Sequence, residues 1–419
     1  MSFAIHQHAT CRVCGGADVP YFLDLGQAPF TDDFIRPEAA GREFSAPLRV
    51  AVCRTCWTAQ TRHDVDVRDY YRDYNYSVAA SGFAQRFMSR LAEETLARYG
   101  FSSGARVLEI GSGDGAQLAH FQERGARVLG FEPSADLCDA SRQAGVPVAQ
   151  CLFGADTVDA IPAELRPADV VVLTYTFDHL PDPLAFLEAV RPVLDERRGV
   201  LVIEVHDFEQ IVERRETCLF EHEHSIYLTS ESFRNLLRRA GFELLTTELL
   251  DPAERRGNSL LVVAAPAGTE HVSDPVEPLG RDFEAWDTYA GFGRDVERSH
   301  AELRDWVGDR RAAGRTVAGW GAGGRGVMTL AYTGLGPGDV AYLVDRNAHA
   351  HGYVAPGSHV PVVAPEILND SPVDDLIVFS YGYLDEIAAQ VRDEVRSQPR
   401  LVSVLDLLRA PTPSGSSQR

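Results

Sequence analysis

From Ala105 onward, short runs of apolar residues alternate with amphipathic stretches of helical period, the pattern of a parallel sheet covered on both faces. The runs predict strands at Arg106–Ile110, Val128–Glu132, Val146–Ala149, Val170–Thr174 and Val200–Val205. Two later runs, Phe242–Leu249 and Ser259–Ala265, predict strands able to pair antiparallel. Ahead of the first strand, Phe87, Leu91 and Leu96 fall on one face of a helix predicted from about Phe83 to Tyr99. A polar, Pro-containing stretch, Ser273–Leu279, then reads as a linker. Beyond it Phe283, Trp286, Tyr289, Val296, Leu303, Trp306 and Val307 recur at helical spacing and predict one long helix to about Ala313. A second alternating segment follows, with strands at Thr316–Gly321, Val340–Val344, Leu376–Phe379 and Leu401–Ser403. The predicted organisation is therefore α/β: a module over residues 1–66, a doubly wound sheet domain over 67–270, a smaller Rossmann-like α/β domain over 280–410, and a disordered tail from 411 to 419.

Where the first of these sheets begins, the chain reads Val-Leu-Glu109-Ile-Gly111-Ser-Gly113-Asp114-Gly115. An acid and then glycines at every second position suit a tight strand-to-helix turn, where bare backbone and helix amides face a ligand. With the acid ahead of the first glycine, the spacing points to S-adenosylmethionine, whose methionine end is cationic, rather than to a dinucleotide pyrophosphate. Ligands of such sheets lie at the carboxyl ends of the strands. That rim carries Glu109, Glu132, Tyr175, Asp178, His179, Glu204 and His206, and the predicted cofactor contacts are Glu109, Gly111, Gly113, Asp114, Glu132, Pro133, Phe153 and Thr174.

Cysteine spacing adds a metal. Cys11-x-x-Cys14 and Cys53-x-x-Cys56 supply four thiolates within a small segment with little room for a core of its own. Two such pairs predict a closed, structural Cys₄ zinc site; the competing reading is two unrelated redox or core pairs. Composition changes the picture only by exclusion. The 419 residues, 45% hydrophobic and 24% charged, are ordinary for a soluble globular protein. A formal charge of −21 argues against nucleic acid as partner, though one or two local arginines suffice for a phosphorylated small molecule. The start of the chain lacks a secretory pattern and no apolar run is long enough for a membrane span, so the cytoplasm is the expected compartment and no membrane is expected as partner.

Three further stretches carry candidate chemistry. Gly319-Trp-Gly321-Ala-Gly323-Gly324 is a literal G-x-G-x-x-G, with Asp345 ending the next strand. It reads as an NAD fingerprint, as a tight turn, or as a diphosphate cradle completed by Arg325. Leu219–Thr229, LFEHEHSIYLT, places Glu221, His222, Glu223 and His224 together. It reads as a metal site, a solvated charged turn, or an acid–base pair in which a carboxylate tunes a histidine, with His179 on the same rim. Between the first two domains, DYYRDYNYSVAASG carries Tyr74 and Tyr76, either as packing between domains or as a lid.

Taken in order, these parts resemble the NDP-hexose 3-C-methyltransferases of antibiotic deoxysugar biosynthesis. The resemblance runs from about Cys11 to Leu408 and rests on the four cysteines, YNY at Tyr74–Tyr76, EIGSGDG, GFEPS at Gly130–Ser134, DHLPD at Asp178–Asp182, EHSIYLT at Glu223–Thr229 and PGSHVPV at Pro356–Val362. It implies S-adenosylmethionine, structural zinc, a nucleotide-sugar substrate held between the central and last domains, and a monomer or weak homodimer. It also implies a base at His224 assisted by Glu223, with His179 and Tyr76 lining the sugar site and Glu221 standing where the family has Tyr. Tyr74, Asn258, Gly321, Arg325 and Tyr381 become the implied substrate contacts. In the family's turn before the last strand of the central sheet, this chain reads Arg256-Gly257-Asn258-Ser259. The implied reaction is attack of a sugar enolate, formed next to a 4-ketone, on the sulfonium methyl. Alternatives are a cofactor-bound homologue with another acceptor or epimerase-like proton transfer, an NAD-dependent oxidoreductase, and a non-catalytic zinc module.

Overall fold

The computed structural model describes residues 4–65 and 81–409. Tyr74, Tyr76 and the tail predicted from 411 lie outside the described residues. The first part of the chain is built on its two cysteine turns. β1 (Ile5–Gln7) pairs antiparallel with β5 (His63–Val65), while β2 (Tyr21–Ala28), β3 (Ala46–Val52) and β4 (Ala59–Thr61) form an antiparallel meander. The module has little core of its own. Cys11, Val13 and Cys53 join the core of the central sheet, and Leu23, Leu48 and Val50 join that of the last domain, so the module is a wedge between them.

Next come α1 (Gly82–Arg98), β6 (Arg106–Ile110), α2 (Ala116–Glu123), β7 (Arg127–Phe131), α3 (Ala135–Gln143), β8 (Val148–Ala149), β9 (Val170–Thr174), α4 (Pro183–Val190), β10 (Val200–Val205) and α5 (Phe208–Arg214). β11 (Ile226–Tyr227), α6 (Ser230–Arg239), β12 (Phe242–Thr246) and β13 (Leu260–Pro266) complete this part. The sheet order is β12-β13-β10-β9-β6-β7-β8, parallel except for β13, which runs antiparallel between β10 and β12. Every residue of β10 is buried, as expected of a strand covered on both faces. Leu108, Ile110, Leu173 and Ile203 pack on one face; Val107, Val172 and Val202 pack on the other, against Phe87 and Leu91 of α1. Predicted strand 242–249 ends early, because a bulge between Leu244 and Thr246 breaks the pairing and Thr246 then caps Glu248. β11 leaves this domain and adds to β4, extending the module's sheet to β11-β4-β3-β2.

The last part opens with α7 (Trp286–Ala312), whose buried Tyr289 and Phe292 pack against Phe22 of the module, with Val296 and Leu303 in the same core. A Cβ on Gly293 would lie 2.6 Å from the carbonyl of Phe22, so helix and β2 are in backbone contact. β14 (Val317–Trp320), α8 (Gly324–Thr333), β15 (Leu343–Val344), β16 (Val362–Val363), α9 (Ile367–Asp370), β17 (Asp375–Val378), α10 (Leu384–Glu394), β18 (Arg400–Ser403) and α11 (Val404–Leu408) follow. Their strands form an all-parallel sheet, β16-β15-β14-β17-β18. Predicted strand 340–344 shortens to two residues because the turn closed by Val340 N–H on Gly336 occupies its first half. No helix among the described residues is long and apolar enough to cross a membrane.

Candidate active site

The four predicted metal ligands converge. Sγ of Cys11 lies 3.6 Å from that of Cys56, and Sγ of Cys14 3.5 Å from that of Cys53. Ligand atoms held about 2.3 Å from a tetrahedral zinc stand about 3.8 Å apart, so the set fits the ion. Donors already surround the sulfurs as thiolates require: Val13 N–H on Cys11, Gly16 N–H on Cys14, Thr55 N–H on Cys53 and the Gln60 amide on Cys11, at 3.1 to 3.4 Å.

At the end of β6 the chain turns through Gly111, Gly113 and Gly115, with φ of +71°, +52° and +82°, values that favour glycine. A Cβ on Gly111 would meet Thr176 Oγ1 at 2.4 Å and one on Gly115 would meet Ser141 Oγ at 2.6 Å, whereas the space over Gly113 is open. Glu132 closes the loop from β7, accepting from Gly113 N–H at 3.0 Å and Ser134 N–H at 2.8 Å. Beneath it Glu109 is 2% exposed, and burial followed by the nearby Asp114 lifts its carboxyl well above the usual range. One Glu109 oxygen has no hydrogen-bond partner among the described residues. A buried acceptor beside an open glycine backbone fits the cationic end of S-adenosylmethionine. Asp114, Pro133 and Thr174 are half-buried around the same loops, and Phe153 packs edge-on against Phe131, ring centroids 5.1 Å apart.

Following β9, the turn that begins at Tyr175 (φ +50°) carries Asp178 and His179; the end of β10 carries His206; the loop before β11 carries His224. These side chains meet. Asp178, 3% exposed, accepts from His206 Nδ1 at 2.7 Å and lies 3.9 Å from His179 Nε2. The His224 ring stands perpendicular to that of His179 at 4.7 Å and 5.0 Å from that of His206. Burial would lift Asp178, but the hydrogen bond from His206 and the neighbouring imidazoles hold it well below the carboxylate range. Burial pushes His206 down to about 4 and His179 to about 3, so both rings are neutral at pH 7. His224 is 4% exposed and its Nδ1 lies 2.7 Å from the carbonyl of Leu219. A carbonyl only accepts, so Nδ1 carries the proton and Nε2 carries the lone pair.

The Glu–His run is not a solvated turn: Glu221, His222, Glu223 and His224 are 4–9% exposed. Nor do its two histidines share a ligand. His222 faces the module, donating through Nε2 to Ala28 O at 3.0 Å and lying 3.0 Å from His63 Nε2, while His224 faces Asp178. Glu221 turns toward α8, where a Cβ on Gly324 would lie 2.7 Å from its Oε1. Burial, then Glu223 and Asp32, raise Glu221 well above the usual carboxylate range, which disfavours its charged form.

The second glycine loop is explained without a dinucleotide. A Cβ on Gly319 would meet Leu343 and Phe379 at 2.6 Å, and one on Gly321 would meet Ser380 Oγ at 2.2 Å; only Gly323 opens onto space. Asp345 accepts from Ala322 N–H at 2.7 Å. Half-buried Arg325 donates to Tyr381 Oη at 3.1 Å, and Tyr381 donates to Glu216 at 2.6 Å, which ties the last domain to the central one. Asn258 does not present its amide to a ligand: it is fully buried, donating to Glu216 and accepting from Asp207 N–H at 2.7 Å.

Sequence reading did not assign roles to Arg256 or Glu216. The Arg256 guanidinium pairs with fully buried Glu204 at 2.6 Å and lies between the rings of Phe87 and Tyr175, 4.5 and 4.6 Å from their centroids. Tyr175 in turn stacks on His206 at 4.6 Å. The signal was legible: an acid inside an otherwise apolar buried strand requires a cation.

Three families match the chain in succession: a putative zinc binding domain over residues 11–71, a methyltransferase domain over 83–247 and a C-methyltransferase C-terminal domain over 254–405. The C-methyltransferase NovU of Streptomyces niveus is 29% identical over 399 residues, 94% of each chain. A ubiquinone biosynthesis O-methyltransferase of Cereibacter sphaeroides is 27% identical over 170 residues, 37% of this chain and 63% of its own. Among solved structures, magnesium protoporphyrin IX methyltransferase from Synechocystis PCC 6803 with bound S-adenosylhomocysteine matches 48% of this chain and 98% of its own, at 15% identity and a TM-score of 0.36.

Proposed function

Since the chain is an S-adenosylmethionine-dependent C-methyltransferase of the family built from a zinc module, a methyltransferase domain and a C-terminal C-methyltransferase domain, we propose that its acceptor is a nucleotide-activated 4-keto-deoxysugar, of dTDP type, and that His224 removes the proton beside the ketone. The observation that carries this reading is the Nδ1 bond of His224 to Leu219 O, which aims a lone pair from Nε2 into a pocket of neutral imidazoles. The bound cofactor supplies an electrophilic methyl on a cationic sulfur. Glu109 and the backbone over Gly113 would hold its methionine end, with Glu132 at the carboxyl edge of β7.

An imidazole is a far weaker base than an enolate, so the oxyanion that forms must be stabilised as the proton leaves. A neutral His179 can supply an N–H to that oxyanion, while neutral His206, whose single N–H is given to Asp178, adds no like charge that would oppose a protonated His224. Asp178 offsets the positive charge that His224 gains on taking the proton. The raised pKa of Glu221 disfavours a negative charge beside the enolate. On the other side of the site, the open amide region at Gly323 with Arg325 suits a diphosphate, and Tyr381 orients Arg325.

Incubation with methyl-labelled S-adenosylmethionine and a dTDP-4-keto-6-deoxysugar in heavy water tests the reading. Label on carbon in the methylated product and deuterium beside the ketone in recovered substrate are expected, since the carbon that loses its proton takes the methyl in its place. Deuterium exchange alone would point to epimerase-like proton transfer, and neither product would refute the proposal.

A further inference from the structure

We infer that Arg12 and Gln60, which lie in the hydrogen-bond shell of the zinc centre, are positioning residues that fix the spacing of His179 and His224. The inference rests on the reading above in taking these two histidines as the reactive pair. Arg12 stands inside the first cysteine turn with its side chain 1% exposed. Its Nε donates to Thr61 O at 3.1 Å, one terminal nitrogen to Pro181 O at 2.9 Å, and the other to His63 O at 2.9 Å and Asp64 at 2.6 Å. Pro181 is two residues beyond His179. Thr61 N–H donates to Ser225 O at 3.1 Å, and Ser225 directly follows His224.

Gln60 ties the same strand to the metal site. It is fully buried, its Nε2 donates to Cys11 Sγ at 3.1 Å, and its Oε1 accepts from Arg12 N–H at 3.0 Å. Its backbone pairs with Ile226, two residues from His224. Ser225 N–H closes the circuit on Asp178 O at 2.8 Å. Each histidine is thus one or two residues from a backbone carbonyl or strand pair anchored on the first zinc turn. A planar guanidinium holds three separate carbonyls at fixed angles, which a lysine ammonium on a flexible stem does not. The matching position of the second turn, Arg54, is 41% exposed, pairs with Asp18 at 3.9 Å and lies over Trp286, away from both histidines.

The test is Arg12→Lys, with Gln60→Leu as a second variant and Arg54→Ala as control, each assayed for bound zinc, thermal stability, ring-¹⁵N signals of the histidines and kinetics. Expected in zinc-loaded Arg12→Lys are displaced signals for His179 and His224, with His271, held against Tyr99 and Arg198 O, unmoved. A fall in kcat of about 10- to 100-fold should accompany little change in KM, as a misplacement near 1 Å implies. Gln60→Leu should move the same two signals, and Arg54→Ala neither. Unmoved signals in both zinc-loaded variants, or changes that only track lost zinc, would overturn the inference. Should the wild type not turn over the sugar nucleotide at all, the assigned reaction fails while the imidazole signals still decide this point.

Discussion

Replacing His224 by Asn and by Gln separates the two nitrogens of its ring. The asparagine amide occupies the place of Nδ1 and can donate to Leu219 O, where the ring nitrogen now sits at 2.7 Å. Glutamine instead carries its amide near the place of Nε2 and leaves that buried carbonyl unpaired. A buried polar group deprived of its partner costs about 1–3 kcal/mol, whereas exchange of one neutral donor for another costs only a fraction of that, apart from the lost ring volume. His224→Asn should therefore melt close to the wild type and His224→Gln several degrees lower. Loss of a positioned general base removes about 10²- to 10⁴-fold in rate, so both variants should fall by that factor in deuterium exchange beside the ketone and in methyl transfer. Calorimetry with S-adenosylhomocysteine should give wild-type affinity for both. Turnover by His224→Asn within threefold of wild type would refute the assignment of the base, and equal melting of the two variants would refute the tautomer.

Gly113→Ala should fold, at a cost of about 1–2 kcal/mol for the left-handed backbone, yet lose S-adenosylhomocysteine affinity in calorimetry, because its Cβ enters the open space over the loop. Gly111→Ala meets Thr176 at 2.4 Å and should fail by instability instead. Glu221 has a folded pKa raised above its unfolded value, so its contribution is present at low pH and lost as pH rises through the folded value. Glu221→Gln should accordingly unfold in denaturant no more easily than the wild type at pH 7 and be the more stable of the two at pH 9. His222, His206 and His300 sit at about 4 and His179 at about 3 when folded, below the ordinary 6.5, so the unfolded chain binds more protons between those limits. The histidine contribution should be full above pH 6.5 and fall as pH drops toward 4, at up to about 1.4 kcal/mol per pH unit for each ring, against the opposite trend of raised carboxyls such as Glu221 and Glu109; an NMR titration of any of these four rings with a midpoint near 6.5 in the folded protein would contradict this burial.

Much of this was legible because it is carried by short-range pattern. The runs at 106–110, 170–174 and 200–205 became strands over the same residues, since a strand buried on both faces leaves a continuous apolar signature. His222 and His224 point in opposite directions because a turn lies between them; in a strand i, i+2 positions would have shared a face. What the pattern did not carry is which distant segment each residue meets. Of the three readings of the Glu–His run, the solvated turn falls because its cover comes from the module and from α8, distant in sequence. Asn258 resembled a substrate contact, but Glu216, itself tied to Tyr381, claims its amide. The second glycine motif fits a dinucleotide by spacing alone; the structure assigns two of its glycines to close packing against Phe379 and Ser380.

The pairing of β11 with β4 has a consequence for how the protein is made. Thr61 meets Ser225 across 164 residues of chain, so the first sheet cannot close until the segment after α5 has left the ribosome. At about 5–20 residues per second that interval is roughly 8 to 30 s. Throughout it the free edge of β4 and four thiols are exposed together on the nascent chain, a template for pairing with a stranger. Metal capture, and docking of Cys11, Val13 and Cys53 on the emerging central sheet, are the stabilising events open to the module in that window.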